Sequence, residues 1–372
     1  MTTMYAEALL ESWMRYYYFD TEIDIGSSGV ESFSLAELRE LVGLTQSELD
    51  AIVFNDSRTL GADGLREAIT QRWGNGDPEQ VMATHGSSEA IYLVMNTLLK
   101  EGDEVIVVDP VYQQFYTLAE SVGCRIKHWR FHDEQKFVPD VGELKSLLSA
   151  ETRMVVVNFP HNPTGVSLTA SQQEELINHV AETGAYLLWD SAFAEMTYGQ
   201  PRLPEPWQKY ERAISLGTLS KGFGLPGLRV GWLLAQPEVL ESCVRLRDYL
   251  TLHLSPLVEL IAQRAIEKAD VLLNIRRQQA RTNLEILSRW VEEHSEFVEW
   301  RRPDGGVCTF VRLRRVANTE AFCHRLAQQY KVLLVPGNCF NYPNYVRLGF
   351  GGATAKFKEG LSRLSDMLRV YV

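Results

Sequence analysis

MVVVNFPHNPTG, at residues 154–165, joins a run of four apolar, mostly β-branched residues to a turn that contains two prolines. Such a run is typical of a strand buried on both faces of a sheet. Similar runs occur at residues 105–108 and 186–189, and helical patterns lie between them, at residues 89–99, 111–122 and 171–183. This alternation predicts an α/β fold with a mainly parallel central sheet. In such folds, ligand sites gather at the carboxyl ends of the strands.

Two further segments flank the predicted sheet. A long helix over residues 255–293 and the short apolar runs after it predict a smaller α/β C-terminal domain. The aromatic residues among the first 20 predict an arm that packs on the protein. We therefore predict an N-terminal arm and substrate loop that packs on the small domain (residues 1–40), a large domain (residues 41–254) and the small domain (residues 255–372).

The composition is that of an ordinary soluble globular protein. The 372 residues carry a net charge of −11, which argues against nucleic acid or an anionic membrane as a partner. The N-terminal stretch lacks the pattern of a signal peptide, so we expect a cytoplasmic protein. The five cysteines stand apart without metal-ligand spacing and are interpreted as reduced core residues.

Lys221 is a lone lysine in a segment of small residues, SLGTLSKGFGLPGLRVG at residues 215–231. Desolvation in such a place makes an amine nucleophilic, as condensation with an aldehyde requires. Gly222, Gly224 and Gly227 also match the G-x-G-x-x-G pattern of dinucleotide sites, but Pro226 falls where the required helix should begin. We therefore reject a dinucleotide site.

Other polar residues follow predicted strands or open predicted helices. Residues 86–88, Gly-Ser-Ser, open a helix whose free N–H groups and positive dipole end favour an anion. Tyr112, Asn162 and Asp190 follow apolar strands and offer an aromatic face, an amide and a carboxylate. With Lys221, these groups meet the needs of a phosphorylated, planar, N-protonated aldehyde, namely pyridoxal 5′-phosphate.

The order and spacing of these residues carry a family resemblance. Asn-Pro-Thr-Gly at residues 162–165, Asp190, the pair Ser220-Lys221 and Arg229 resemble the class I/II aminotransferases, which are fold-type I pyridoxal-phosphate enzymes. The resemblance covers nearly the whole chain. It implies that residues 41–254 form the cofactor-binding domain and that active sites are completed across a homodimer.

The resemblance also implies a role for each residue. Lys221 would hold the cofactor covalently and later move protons, and Asp190 would pair with the ring nitrogen. Asn162 would hydrogen-bond the ring O3′, Tyr112 would stack on the ring, and Arg347 would bind the substrate α-carboxylate. The implied phosphate ligands are Gly86, Ser87, Ser88, Thr218, Ser220 and Arg229.

Two positions depart from the usual pattern of the family. Phe193 stands where the family commonly has a tyrosine whose hydroxyl bonds O3′. Asp56 stands where the family commonly has a tyrosine that reaches the partner subunit's phosphate. A carboxylate beside a phosphate dianion would be repelled, so we expect another role for Asp56.

Several stretches resemble a narrower group, the capreomycidine synthases, at residues 24–30, 84–90, 188–193 and 247–259. That resemblance implies cyclisation of a hydroxylated L-arginine by loss of the Cα proton, β- or γ-elimination of the hydroxyl, and attack by a guanidine nitrogen. The product would be a capreomycidine- or enduracididine-like cyclic amino acid, and the sequence does not choose between them.

Two alternatives and a substrate site complete the sequence-based hypotheses. An aminotransferase that uses a 2-oxo acid acceptor would need the same Lys221, and a cofactor-binding regulator is a less favoured third class. A guanidinium substrate needs carboxylates near the cofactor. The predicted substrate contacts besides Arg347 are Glu11, Asp24 and Asp56, with Ser27 and Ser28 as polar neighbours.

Overall fold

The computed structural model describes residues 5–371, so the first four residues of the predicted arm and the last residue of the predicted small domain lie outside the described residues. The strands within this range are β1 (Ile23–Asp24), β2 (Val81–Thr84), β3 (Glu104–Asp109), β4 (Arg125–Arg130), β5 (Thr152–Asn158), β6 (Tyr186–Asp190), β7 (Ala213–Thr218), β8 (Gly231–Leu234), β9 (Val298–Trp300), β10 (Cys308–Leu313), β11 (Val332–Leu333), β12 (Val335–Pro336) and β13 (Tyr345–Gly349). The helices are α1 (Leu9–Tyr17), α2 (Leu35–Val42), α3 (Gln46–Asp50), α4 (Asp63–Trp73), α5 (Gly86–Leu98), α6 (Gln114–Val122), α7 (Val141–Leu147), α8 (Ala170–Thr183), α9 (Pro237–Arg247), α10 (Pro256–Glu267), α11 (Ala269–Glu293), α12 (Thr319–Tyr330) and α13 (Thr354–Val370).

The largest sheet has the strand order β2-β8-β7-β6-β5-β3-β4. All its strands run parallel except β8, which is antiparallel to both of its neighbours. The side chains of residues 105–108 are fully buried, which explains why this strand is a continuous apolar run. The predicted α/β fold with a mainly parallel sheet is confirmed.

The C-terminal part contains a second, antiparallel sheet with the order β12-β13-β10-β9. The predicted single helix over residues 255–293 is wrong, because the chain breaks at Lys268 (φ −108°, ψ 24°) between α10 and α11. No glycine or proline marks this break. The break lets the two helices follow different neighbours, α10 packing on α4 and α11 on α13.

The N-terminal arm lies against the C-terminal part. β1 pairs in parallel with β11, and the indole N–H of Trp13 in α1 donates to the carbonyl of Leu334 at 2.9 Å. α2 begins with a capping box between Ser34 and Glu37. These contacts place the loop between β1 and α2 beside the second sheet.

The glycine-rich segment after Lys221 forms no dinucleotide motif. Pro226–Leu228 make a short 3-10 turn that leads into β8, so no α-helix opens there. All five cysteines are unpaired; four are buried and Cys124 is partly exposed. In the described part of the chain, no helix is long and apolar enough to cross a membrane.

Candidate active site

The carboxyl ends of β5, β6 and β7 meet at one edge of the large sheet. Asn158, the last residue of β5, pairs in register with Asp190, the last residue of β6. Asp190 in turn pairs with Leu216 of β7, and Lys221 follows β7 by three residues. The sheet register therefore brings the predicted amine and carboxylate to the same edge.

Lys221 is a desolvated amine that donates a hydrogen bond to a serine. Its Nζ donates to Ser28 Oγ at 3.0 Å and lies 5.5 Å from the centre of the Phe193 ring. Burial lowers the pKa of Lys221 to about 8, with a further lowering by the Arg347 charge, while Asp190 opposes the shift. Close to neutral pH the amine can therefore both accept and return a proton.

Asp190 is a buried carboxylate. Its Oδ1 accepts the backbone N–H of Ala192 at 2.7 Å. Burial raises the pKa of Asp190 to about 6, and nearby Glu205 raises it further, whereas the Ala192 hydrogen bond and the charge of Lys221 lower it. A buried carboxylate of this kind gains from a cationic partner.

Asn162, in the turn after β5 of the large sheet, forms a hydrogen bond with Arg347 in β13 of the second sheet. Arg347 Nη1 donates to Asn162 Oδ1 at 3.3 Å, and Arg347 Nε donates to the Gly26 carbonyl at 3.0 Å. The thiol of Cys308 reaches the same Asn162 oxygen, with an S–O distance of 3.7 Å. Because Asn162 Oδ1 is engaged twice, its amide nitrogen remains the free donor of the side chain.

Tyr112 meets the N-terminal arm. Its hydroxyl donates to Glu11 Oε1 at 2.8 Å, a contact between residues 101 positions apart. Burial raises the pKa of Tyr112, and Glu11 raises it further, so the phenol stays protonated. Glu11 thus presents a carboxylate beside the predicted ring-stacking residue.

The predicted phosphate ligands form a cradle around the start of α5. Gly86 has φ +72°, and a Cβ there would lie 2.5 Å from Arg229 Nη2, so the close approach of Arg229 requires glycine. Arg229 Nη1 donates to Ser220 Oγ at 3.2 Å, and Thr218 Oγ1 donates to the same oxygen at 3.0 Å.

The backbone of α5 completes this cradle. A Cβ on Gly231 would lie 2.5 Å from the backbone nitrogen of Ser87, so β8 packs directly against the helix start. Gln114 Nε2 donates to the Ser88 carbonyl at 2.9 Å and joins α6 to the same turn. Ser87 and Ser88 are therefore held at the N-terminus of α5, where the helix dipole favours an anion.

These residues fit pyridoxal 5′-phosphate. The cradle at Gly86 supplies backbone N–H groups, hydroxyls and the Arg229 guanidinium for a phosphate dianion. Asp190 supplies a buried anion for a protonated ring nitrogen, and Lys221 supplies an amine for the aldehyde. The donor set thus matches the phosphate, the ring nitrogen and the aldehyde of the cofactor.

The predicted substrate residues fall in three places. Asp24 Oδ1 accepts the backbone N–H groups of Gly26 and Ser27 at 2.8 and 2.9 Å, so this oxygen shapes the turn. Asp56 is fully exposed and lies 3.2 Å from His253 Nε2. The structure therefore brings Ser28 to Lys221, Glu11 to Tyr112 and Asp56 to His253.

Two residues near the site carried no recognisable sequence signal. Cys308 contacts Asn162 although 146 positions separate them. Glu205, a second buried carboxylate, accepts the Ser191 hydroxyl at 2.8 Å, and its charge raises the pKa of Asp190. Its position after a proline-rich turn, in a stretch without periodicity, gave no reason to single it out.

The chain is similar to known proteins over nearly its whole length. A family model described as aminotransferase class I and II matches residues 48–364. Capreomycidine synthase from Streptomyces vinaceus is 42% identical over 97% of this chain and 93% of its own length. The solved structure of the PLP-dependent cyclase OrfR is 42% identical with a TM-score of 0.94 and covers 99% of this chain and 98% of its own. A PLP-dependent aminotransferase from Streptococcus suis 89-1591 is 31% identical, also with a TM-score of 0.94, and covers 100% of this chain and 99% of its own.

Proposed function

The chain belongs to the aminotransferase class I and II family, as a pyridoxal-phosphate enzyme of fold type I, and within it we propose that the protein cyclises a hydroxylated L-arginine. The observation that carries this proposal is the charge arrangement of the site. Arg347 offers a buried cation for an α-carboxylate, and Glu11 offers an anion on the Tyr112 hydroxyl. An arginine derivative has the two complementary charges. We place the enzyme in the cytoplasm.

Lys221 acts as the base in the first step. Its amine, with a pKa of about 8, takes the Cα proton of the bound substrate. Bound pyridoxal 5′-phosphate supplies an electron sink that makes this proton acidic. Asp190 stabilises positive charge at the ring nitrogen, and Arg347 fixes the α-carboxylate so that the Cα–H bond faces Lys221.

Loss of the substrate hydroxyl then prepares ring closure. With the hydroxyl on Cβ, elimination follows directly and a guanidine nitrogen attacks Cβ to give a capreomycidine-like product. With the hydroxyl on Cγ, a second proton must leave Cβ first, and attack at Cγ gives an enduracididine-like five-membered ring. Glu11 holds the guanidinium until the chain folds back.

Incubation with defined substrates tests the proposal. The purified enzyme is given L-arginine, its 3-hydroxy and 4-hydroxy derivatives and common amino acids, with and without 2-oxoglutarate, and the products are analysed by mass. We expect a product that has lost one water from a hydroxyarginine and that forms without the oxo acid. Amino-group exchange that depends on the oxo acid would instead establish an aminotransferase, which the likeness to the Streptococcus suis enzyme keeps as the second candidate.

Glu11→Gln is expected to raise the KM for the hydroxyarginine about tenfold, because a charge-assisted hydrogen bond to the guanidinium is lost. The visible spectrum of the bound cofactor should stay unchanged, since Glu11 contacts the hydroxyl of Tyr112 and not the ring face that would stack on the cofactor. Steady-state kinetics on both isomers gives the measurement.

Asp20→Asn, at an exposed acid three residues after α1, is the matched control and should keep the wild-type KM. Asp56→Asn tests another of the predicted acids, which we propose to serve the partner subunit's site across the dimer. Wild-type kinetics in both Glu11→Gln and Asp56→Asn would remove these two residues from the substrate site.

The dimer itself is proposed from an exposed apolar patch. Phe54 and Tyr249 are 76% and 89% exposed, and Val53, Leu250 and Leu252 lie beside them in sequence. The contact between Asp56 and His253 ties the two segments together. An apolar patch of this kind marks a protein interface.

The double variant Phe54→Asp/Tyr249→Asp is expected to sediment as a monomer, because two buried carboxylates at an interface are strongly unfavourable. Val271→Asp, which places the same charge on an exposed position of α11, should remain a dimer. Analytical ultracentrifugation separates the two outcomes, and a dimeric double variant would place the interface elsewhere.

A further inference from the structure

We propose that the Ser28 hydroxyl is a proton relay that carries the proton from Lys221 to the oxygen that leaves the substrate. The inference rests on the proposed cyclisation and adds an acid to it. Elimination of a hydroxyl needs such an acid, because hydroxide is a poor leaving group and water a good one.

Ser28 is the hydroxyl that Lys221 contacts. Among residues 5–371, Ser28 Oγ is the one hydrogen-bond acceptor of Lys221 Nζ, at 3.0 Å. Phe193, whose ring centre lies 5.5 Å from the amine, has no hydroxyl. A proton taken up by Lys221 therefore has a direct exit through Ser28.

The loop that carries Ser28 is held rigidly. A Cβ on Gly349 would overlap the Ser27 carbonyl oxygen, and one on Gly351 would overlap that of Gly29. The loop backbone is thus pressed against the strand that carries Arg347, whose Nε also binds the Gly26 carbonyl. This packing holds the buried Ser28 side chain toward Lys221.

The Ser28 loop also lies beside the two residues that would bind and deprotonate the substrate, Arg347 and Lys221. Arg347 Nε donates to the Gly26 carbonyl and Lys221 Nζ donates to Ser28 Oγ, so the same loop contacts both side chains. A substrate with its carboxylate on Arg347 and its Cα–H toward Lys221 therefore extends its Cβ and Cγ along the Ser28 loop. In this pose the Cβ hydroxyl would come near Ser28 Oγ.

The proton balance closes for the Cβ isomer. Lys221 Nζ takes the Cα proton and becomes an ammonium, and the electron pair of the C–H bond remains with the substrate. That pair forms the Cα–Cβ double bond as the Cβ–O bond breaks. The leaving oxygen takes the Ser28 hydroxyl proton and departs as water, and the Lys221 ammonium returns a proton to Ser28. The relay is therefore proposed for the Cβ isomer, in which one proton passes from Cα through Lys221 and Ser28 to the leaving oxygen.

Two substrates separate the relay from the base. L-arginine has no hydroxyl to lose, so its Cα–H exchange with D₂O reports on Lys221 alone, whereas a hydroxyarginine reports on elimination. In Ser28→Ala we expect Cα exchange in arginine within about threefold of wild type and cyclic product formation lowered about 100-fold. Ser28→Thr keeps a hydroxyl and should recover most of the loss.

The control is Ser32→Ala, an exposed serine four residues further along the same loop, which should match wild type in both assays. Equal losses of exchange and cyclisation in Ser28→Ala would overturn the relay, since that result indicates a displaced Lys221. Unchanged cyclisation in Ser28→Ala would also overturn it. A wild-type enzyme that exchanges Cα–H but never cyclises a hydroxyarginine would instead refute the proposed function, and the relay with it.

Discussion

Lys221→Ala is expected to lower kcat for ring formation at least about 10⁴-fold, because the proposed covalent anchor and the proposed base are lost together. The effect should exceed that of any other single variant here. Mass analysis of product formed from a hydroxyarginine measures it. Lys209→Ala, which removes an exposed lysine before β7, should leave kcat unchanged.

A second measurement tests Lys221 in the cofactor-free protein. Cyanate carbamylates neutral amines, so the pH at which Lys221 reaches half its maximal rate reports its pKa. We expect a midpoint near pH 8, whereas an ordinary lysine titrates near 10.5. A midpoint near 10.5 would mean that the amine is not desolvated, and Lys221 would then lack the basicity that the mechanism requires near neutral pH.

The sequence predicted the architecture well because buried strands of the parallel sheet are visible in the sequence as continuous apolar runs. Residues 105–108 and 154–157 are apolar without interruption, and both runs are fully buried within strands of the parallel sheet. The break between α10 and α11 was missed because Lys268 is a good helix former in isolation. The packing of the two helices on different neighbours overrides that preference.

Some residues of the site could likewise be predicted from local sequence patterns, whereas the contacts between distant segments could not. Residues that follow strands, such as Asp190, were predicted from local pattern, since parallel strand ends must meet. The contacts of Ser28 with Lys221 and of Cys308 with Asn162 join residues 193 and 146 positions apart. Such contacts depend on how the arm and the second sheet dock on the first, and no local pattern encodes this docking.

Asp190→Asn is expected to lower kcat about 10²- to 10³-fold, because a buried charge that stabilises the ring nitrogen is removed. The amide can still accept the Ala192 N–H through its oxygen, so the local geometry is kept. The cyanate midpoint of Lys221 should also move to lower pH, since the Asp190 charge raises the pKa of that amine. Kinetics on a hydroxyarginine and carbamylation of the cofactor-free protein measure the two effects.

In the absence of cofactor, the Asp190→Asn variant should be more stable than the wild-type protein at neutral pH but not at acidic pH. Asp190 has a folded-state pKa of about 6, raised from 3.8 mainly by burial, so the folded protein binds more protons than the unfolded chain between these values. Wild-type stability therefore falls as pH rises from about 4 to 6, by at most about 3 kcal/mol from this group. The amide of the Asp190→Asn variant has no proton to lose, so urea unfolding of the cofactor-free proteins should give equal stabilities near pH 4 and a more stable variant at pH 7.5. A variant that is less stable than wild type at pH 7.5 would mean that the Asp190 charge is already compensated within the protein, and that it does not depend on a cationic partner.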